Sequence, residues 1–526
     1  MQKKITAASL AAMLALCGIF GGCGKKNIEE SGIENEFGKG EITYPIKTDK
    51  EVSYWVWLNS NILKSCSSWS ETKYAEDLEK QTGIKVKYIH PAIGQEDASF
   101  NILFSSDDLP DIICNAAWRT FSGGGPDGAI DSGYIFDLTD YLKDYAPNYY
   151  KTLKSNPDWD KAAKSLNGRY YDIGSIGHDV PVYGMIIRKD WLEDLGLSMP
   201  ETVQEWHDVL KAFKEKKGAS APLSFSASSF YKMDILESAY KTSTSFYPDG
   251  GKIKYGPLDK SYKEFVKEMA KWYKEGLLDK NIASTDSKAL DAKVLNDNTG
   301  ATYGYVSSGI GKWMSAKKAG SKMRLVAAPY PVLNKGDKPS QYSKSVSRYN
   351  NFAAISSTSK NKEIAMRLLD YGYSEKGSLL ANYGREGVTY NIVDGKPQFT
   401  DEILHNPEGK SISEALYYYS QLGPFYLTRE SFLQQITMPE QLEATKTWEV
   451  DHTHAMPNTL MPDSDQKEYA DIMLSVESYV SETVLGVICG EKPESELDKM
   501  DSQLKKLNID RAIEIQQKAY DNYNKE

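Results

Sequence analysis

A chain of 526 residues, 40% of them hydrophobic, can bury enough apolar surface for more than one lobe, which excludes a tag or a small module. A formal net charge of −10 sets the average field against a phosphate backbone, so no nucleic-acid partner is expected. Five widely spaced cysteines offer neither a disulfide framework nor a zinc site.

The predicted elements begin with an export signal. Lys3 and Lys4 precede an apolar run from Ile5 to Phe20, long enough for a signal segment but short of the about 20 residues that span a bilayer. Gly21-Gly22-Cys23 follows and resembles the bacterial lipoprotein lipobox, with Phe20 where a Leu is usual. The resemblance implies removal of residues 1–22 and acylation of Cys23, which would tether an otherwise soluble protein to the membrane surface. Loss of Lys3 and Lys4 takes the charge to −12, and only Cys66, Cys114 and Cys489 then remain as thiols. Residues 23–49 are charged, contain glycine and lack apolar periodicity, so they are expected to be a flexible tether.

Glu51–Leu58 alternates as a strand does, with Trp55 and Trp57 on one face. A helix over Thr72–Thr82 stops at Gly83, a second strand runs over Ile84–Ile89, helical spacing returns at Ala98–Phe104, and Asp111–Cys114 reads as a buried strand. This alternation argues for a doubly wound lobe whose ligand crevice lies at the carboxyl ends of its strands. Thr202 and Glu205 form a capping box ahead of an apolar stripe closed by Gly218, and a second stripe from Tyr262 to Tyr273 places Trp272 in a core. Phe352–Ile355 reads as a strand and 362–371 as a helix.

Several segments resemble extracellular solute-binding proteins of the family 1 type, the carbohydrate-oriented lipoproteins that serve ABC importers. These are LEKQTGIKVKYIHP with FNILFSSDDLPDII, IFDLTDYLKDYAPNYYK with NGRYYDI, RKDWLEDLGLSMPETVQEWHDVLKAFK, WYKEGLLDKNI and LLANYGREGVTYNIVDGKPQFT. Together, in order, they cover most of 51–400. The resemblance implies an α/β fold of two lobes in the type II periplasmic-binding-protein arrangement, each lobe a doubly wound, mainly parallel sheet with helices. Lobe 1 would take 50–175 plus 326–372, and lobe 2 would take 176–325 plus 373–526.

It also implies a monomer that binds an oligosaccharide or other small carbohydrate, closes about a hinge and docks on importer permease subunits. The abundance of tyrosine, 35 residues against 15 phenylalanines, suits a sugar groove and equally suits half-buried structural rings. Candidate ligand-binding residues are Trp57 at the end of the first strand, and Trp118 with Arg119 after the strand ending at Cys114. In the second lobe Tyr231 follows the SFSASS segment, and Trp313 stands where maltose-binding-type proteins have a stacking tryptophan. Arg348, Tyr349 and Asn350 precede the FAAI strand, while Glu386 and Tyr390 lie in the REGVTY loop.

Catalysis is not expected, because no nucleophile elbow, phosphate loop or zinc-protease motif is present. No cofactor or metal is expected either: His452 and His454 sit in a proline-containing stretch, and Asn296–Gly300 lacks the acidic spacing of a calcium loop. A surface glycan adhesin would share the groove without needing a hinge. A secreted carbohydrate-active enzyme would need two acids placed across one cleft.

Overall fold

The computed structural model describes residues 32–58, 62–93, 95–104, 109–121, 124–177, 180–226, 234–342 and 350–525. The export signal and Cys23 lie outside the described residues. Among the described residues thirteen strands follow one another: β1 (Glu51–Trp55), β2 (Lys85–Ile89), β3 (Ile112–Cys114), β4 (Ile173–Gly177), β5 (Tyr183–Arg188), β6 (Phe246–Asp249), β7 (Lys252–Tyr255), β8 (Ala301–Tyr305), β9 (Leu325–Ala327), β10 (Asn350–Ile355), β11 (Tyr390–Val393), β12 (Lys396–Phe399) and β13 (Tyr426–Leu427).

Two hydrophobic cores organise them. The first surrounds a six-stranded mixed sheet in the order β13-β4-β10-β3-β1-β2. β1 runs parallel to β2 from Glu51 opposite Lys85 to Trp55 opposite Ile89, and parallel to β3, while β10 runs antiparallel to both β3 and β4. Val52, Tyr54 and Trp55 are all buried, so both faces of β1 are covered, as a central parallel strand requires. The helix Lys73–Thr82 that joins β1 to β2 is capped by the Thr72 hydroxyl on the Ala75 amide and ends at Gly83 in the left-handed region. Gly83 is required twice over, since a β-carbon there would also collide with the Ile46 carbonyl.

The second core surrounds a three-stranded sheet, β8-β5-β9, in which both pairings are antiparallel. This departs from the mainly parallel sheet expected in each lobe. Alternation of side chains identifies a strand without giving its direction, and here β8 and β9 both lie opposite in sense to β5. The helix Val203–Lys217, with its capping box at Thr202 and Glu205, packs Trp206, Leu210 and Phe213 into this core, and Trp272 is buried there as well. Trp448, after the helix Pro439–Thr447, lies flat against Gly184 of β5 and donates its indole N–H to the Ala328 carbonyl (3.1 Å).

The packing draws the lobe boundaries differently from the expectation. Residues 326–342 stay with lobe 2, because Ala328 and Tyr330 belong to its core. Residues 373–427 return to lobe 1: Leu380, Ala381, Leu422 and Phe425 lie in the first core, and β13 extends the first sheet beside β4. A small third cluster under the β11–β12 hairpin is built on Tyr383, Phe399 and Leu416. The second lobe is completed by the long helix Asp463–Ile488 with Glu496–Lys506 and Ile509–Lys525.

Three segments cross between the lobes, after β4, before β10 and after β13. These are three adjacent strands of one sheet, and all three crossings leave from the same edge. The supposed tether is another departure: from Ile33 onward it is packed on lobe 1.

Candidate functional site

The crossings fix where a ligand could touch both lobes, namely the strand ends nearest to them. In lobe 1 these are the carboxyl ends of β1 and β3 and the amino end of β10. Trp57 lies two residues beyond β1, and its side chain is 44% exposed although its backbone is held fast. Its carbonyl accepts the Trp69 indole N–H (3.2 Å), and His90 donates through Nδ1 to the neighbouring Val56 carbonyl (2.8 Å). His90 Nε2 in turn lies 3.0 Å from the Ser68 hydroxyl, tying β1, β2 and the Ser68–Trp69 turn into one support. A large ring on a fixed backbone loses little conformational freedom on contact with a ligand.

Lobe 2 presents a counterpart that sequence reasoning missed. Tyr305 ends β8 directly opposite Tyr183, the first residue of β5 after the crossing, and is 50% exposed. Its ring lies 4.4 Å from that of Tyr183, which meets Tyr303 edge-on at 4.3 Å, and Tyr330 donates to the Tyr183 carbonyl (3.2 Å). The sequence signal for it is Gly304-Tyr305, an aromatic closing a strand eight residues before Trp313. Where the chain crosses between the lobes, β4 and β10 carry polar groups: Asn351, at φ 52°, donates to the Ser175 hydroxyl (3.1 Å) beside Gly423. Strained, polar backbone of this kind gathers at ligand-facing turns.

The predicted site residues do not all converge. Trp118 is 0% exposed: it sits in the short turn Ala116–Thr120, which folds back on β3, so its indole donates to the Ile113 carbonyl (3.0 Å) among Phe100, Phe104 and Phe121. Trp118 is therefore a core residue. Trp313 is 3% exposed for a similar reason, its helix Lys312–Ala316 returning over β8 so that the ring fills the space left by Gly304 and Gly309 and donates to Asp291 (2.8 Å). It too belongs to packing.

Arg119 is half-buried, over the Phe352 ring and donating to the Ala162 carbonyl (3.3 Å) and, across the lobes, to the Asn458 carbonyl (3.4 Å). Its guanidinium joins the lobes. Tyr390 is buried against Tyr383 in the third cluster, and Glu386 is exposed on the same loop, which Arg385 ties to Asp77 and Glu76. Neither is brought to Trp57 or Tyr305 by any described contact. The backbone of Asn350 enters β10 opposite Ser175, while Tyr231, Arg348 and Tyr349 lie outside the described residues.

Among the described residues no group of three or more His, Cys, Asp or Glu side chains could hold a metal ion. His454 stacks on Tyr342 at 4.5 Å, and Asp297 of the calcium-like stretch is paired with the buried Arg188. Cys66, Cys114 and Cys489 are unpaired thiols, and burial pushes Cys114 up to about 12, leaving it inert as a nucleophile. No helix among the described residues is long and apolar enough to cross a membrane. The arrangement provides exposed rings and hydrogen-bonding groups on two separately cored lobes.

Known proteins resemble the chain in sequence and in fold. The chain is 24% identical over 561 aligned residues, 99% of each chain, to the fructooligosaccharide ABC transporter substrate-binding protein FusA of Streptococcus pneumoniae. It is 23% identical to the polygalacturonan/rhamnogalacturonan-binding protein YtcQ of Bacillus subtilis, over 75% of this chain and 76% of that one. The solved structure of an extracellular solute-binding protein from Bifidobacterium longum subsp. infantis superposes with a TM-score of 0.71 at 22% identity, covering 91% of this chain and all of the other. Residues 68–378, more than half of the chain, match the family described as bacterial extracellular solute-binding protein, and the chain belongs to that family.

Proposed function

We propose that this protein is a lipid-anchored, extracytoplasmic binding protein that captures an oligosaccharide and delivers it to the permease subunits of an ABC importer, as a monomer and without chemistry of its own. One observation carries the reading: each lobe sets a half-exposed aromatic ring, Trp57 and Tyr305, at the strand end nearest the three crossings. Sugar rings present C–H faces that stack on such side chains and hydroxyls that the polar groups at the crossings can meet. Contacts to both lobes exist together only in the closed form, and that differential affinity is what lets a ligand shift the equilibrium toward closure. The names of FusA and YtcQ, a fructooligosaccharide binder and a polygalacturonan and rhamnogalacturonan binder, support a saccharide of several units.

Titration calorimetry against fructan-derived and pectin-derived oligosaccharides, with their monosaccharides alongside, tests the reading. Saturable binding of an oligomer, lost in step in Trp57→Ala and Tyr305→Ala, is the expected result. Binding indifferent to both substitutions would remove the aromatic pair from the site, and turnover of a bound saccharide would make the protein an enzyme.

A further inference from the structure

Residues 33–50 are docked along lobe 1. The Glu363 carboxylate accepts the backbone amides of Glu36 (2.5 Å) and Phe37 (3.1 Å), and the Arg367 guanidinium donates to the carbonyls of Gly38 and Gly40. Both side chains are buried, one turn apart on the helix Lys362–Tyr371. The Tyr44 hydroxyl donates to the Arg367 carbonyl (2.8 Å), its ring meets Tyr371 edge-on at 4.9 Å, and the amides of Gly40 and Ile46 donate to the carbonyls of Asp144 (2.7 Å) and Thr82 (2.9 Å). Ile33, Phe37, Ile42 and Tyr44 pack against the lobe 1 core. Without this segment a buried carboxylate and guanidinium would lose the backbone groups that satisfy them, so segment and helix depend on each other.

We propose that this docked strap makes lobe 1 the membrane-proximal body and holds lobe 2 farther from the lipid surface. The inference rests on the reading that Cys23 carries the lipid. With Ile33 seated, Cys23 lies ten chain steps back, so the strap face of lobe 1 lies within about 35 Å of the lipid surface, whatever path those steps take. A free tether reaching to residue 49 would allow about 90 Å.

The test uses the full-length lipoprotein in phosphatidylethanolamine–phosphatidylglycerol vesicles carrying an acceptor dye on the headgroups. A donor is placed at Asp140→Cys, exposed on lobe 1 four residues before Asp144, whose carbonyl accepts the Gly40 amide of the strap, or at Lys216→Cys, exposed on lobe 2, in a Cys489→Ser background. Transfer should be stronger from position 140, and a 20-residue Gly-Ser insertion between Gly32 and Ile33 should cut it at least twofold while the strap stays docked. Equal transfer from the two positions, or no response to the insertion, overturns the proposal. Hydrogen exchange on the same chain reads the strap directly: the amides of Glu36, Phe37, Gly40 and Ile46 should exchange at least a hundredfold slower than in a free peptide, and exchange at the free rate overturns the docking. Vesicles that do not retain the wild-type chain would refute the anchor at Cys23 and with it the membrane placement, while the exchange measurement still reports separately on the strap.

Discussion

The two lobes reach the same arrangement from different sheets. Lobe 1 has a six-stranded sheet of mixed sense, with parallel neighbours at β1, whereas lobe 2 has a three-stranded antiparallel sheet, a separate β6–β7 hairpin and helices around them. Each nevertheless places an exposed ring at the strand end nearest the crossings and buries a tryptophan in the turn that follows a strand. Trp57 and Tyr305 are the exposed pair, Trp118 and Trp313 the buried pair. Among these four rings, the exposed two lie within two residues of a strand end, and the buried two lie four or more residues on, where a helical turn has carried them back into the core.

The strongest way to break this comparison is to truncate the buried pair. Trp118→Ala and Trp313→Ala should each destabilise their own lobe by about 3–5 kcal/mol, read by denaturant melts with hydrogen exchange to locate the loss. Should either leave stability intact and abolish sugar binding, that ring would be a platform after all.

A pH titration separates the lobes next. Burial raises the Asp370 carboxyl in lobe 1 to about 7, against the hydrogen bonds it accepts from Asn148 (2.7 Å) and the Tyr149 amide (2.8 Å). Because the folded value lies above the unfolded one, the contribution to stability is complete below about pH 4 and is lost as pH rises through 7. Lobe 1 should therefore weaken between pH 4 and 7 by up to roughly 1.4 kcal/mol per pH unit from this group, and Asp370→Asn should flatten that slope. An unchanged slope in the variant would assign the titration elsewhere.

Truncating the exposed pair should reverse the pattern of the tryptophans. Trp57→Ala and Tyr305→Ala are expected to weaken saccharide binding by about 1–3 kcal/mol each while moving the melt of the free protein by less than about 0.5 kcal/mol. Calorimetry and a melt on each variant decide the matter, and a stability loss as large as that of Trp118→Ala would end the distinction between rim and core. The smallest effect, about 1 kcal/mol, is expected for Thr202→Ala, which removes a helix cap from lobe 2 and should leave exchange in lobe 1 untouched.

Local features were legible in the sequence because they rest on neighbours. The caps at Thr72 and Thr202, the stop at Gly83 and the apolar stripe through Trp272 all depend on residues within a few positions. Strand direction in lobe 2, the return of 373–427 to lobe 1 and the docking of the strap depend on partners hundreds of residues away, such as Glu36 with Glu363 and Tyr54 with Gly423. Composition made the strap resemble a linker, since its backbone is satisfied by distant partners, the Glu363 and Arg367 side chains and the Asp144 and Thr82 carbonyls, and its few apolar residues pack on a remote core. In the site, Trp57 stands out by its place after β1, while the turns that withdraw Trp118 and Trp313 leave no periodic trace.

The three crossings have a mechanical consequence. They emerge from neighbouring strands, and the helix Arg429–Gln434 beside them is bonded to Asn382 and Pro397 of lobe 1 while Phe432 packs against lobe 2. A single linking strand would leave the two bodies free to swivel about three axes. With three in a row, twist and shear would have to stretch covalent chain, and bending about the line through the crossings remains the soft coordinate. In the closure proposed above that bend would be the one soft motion, and the permease subunits would need to measure only the span between two points on the rim.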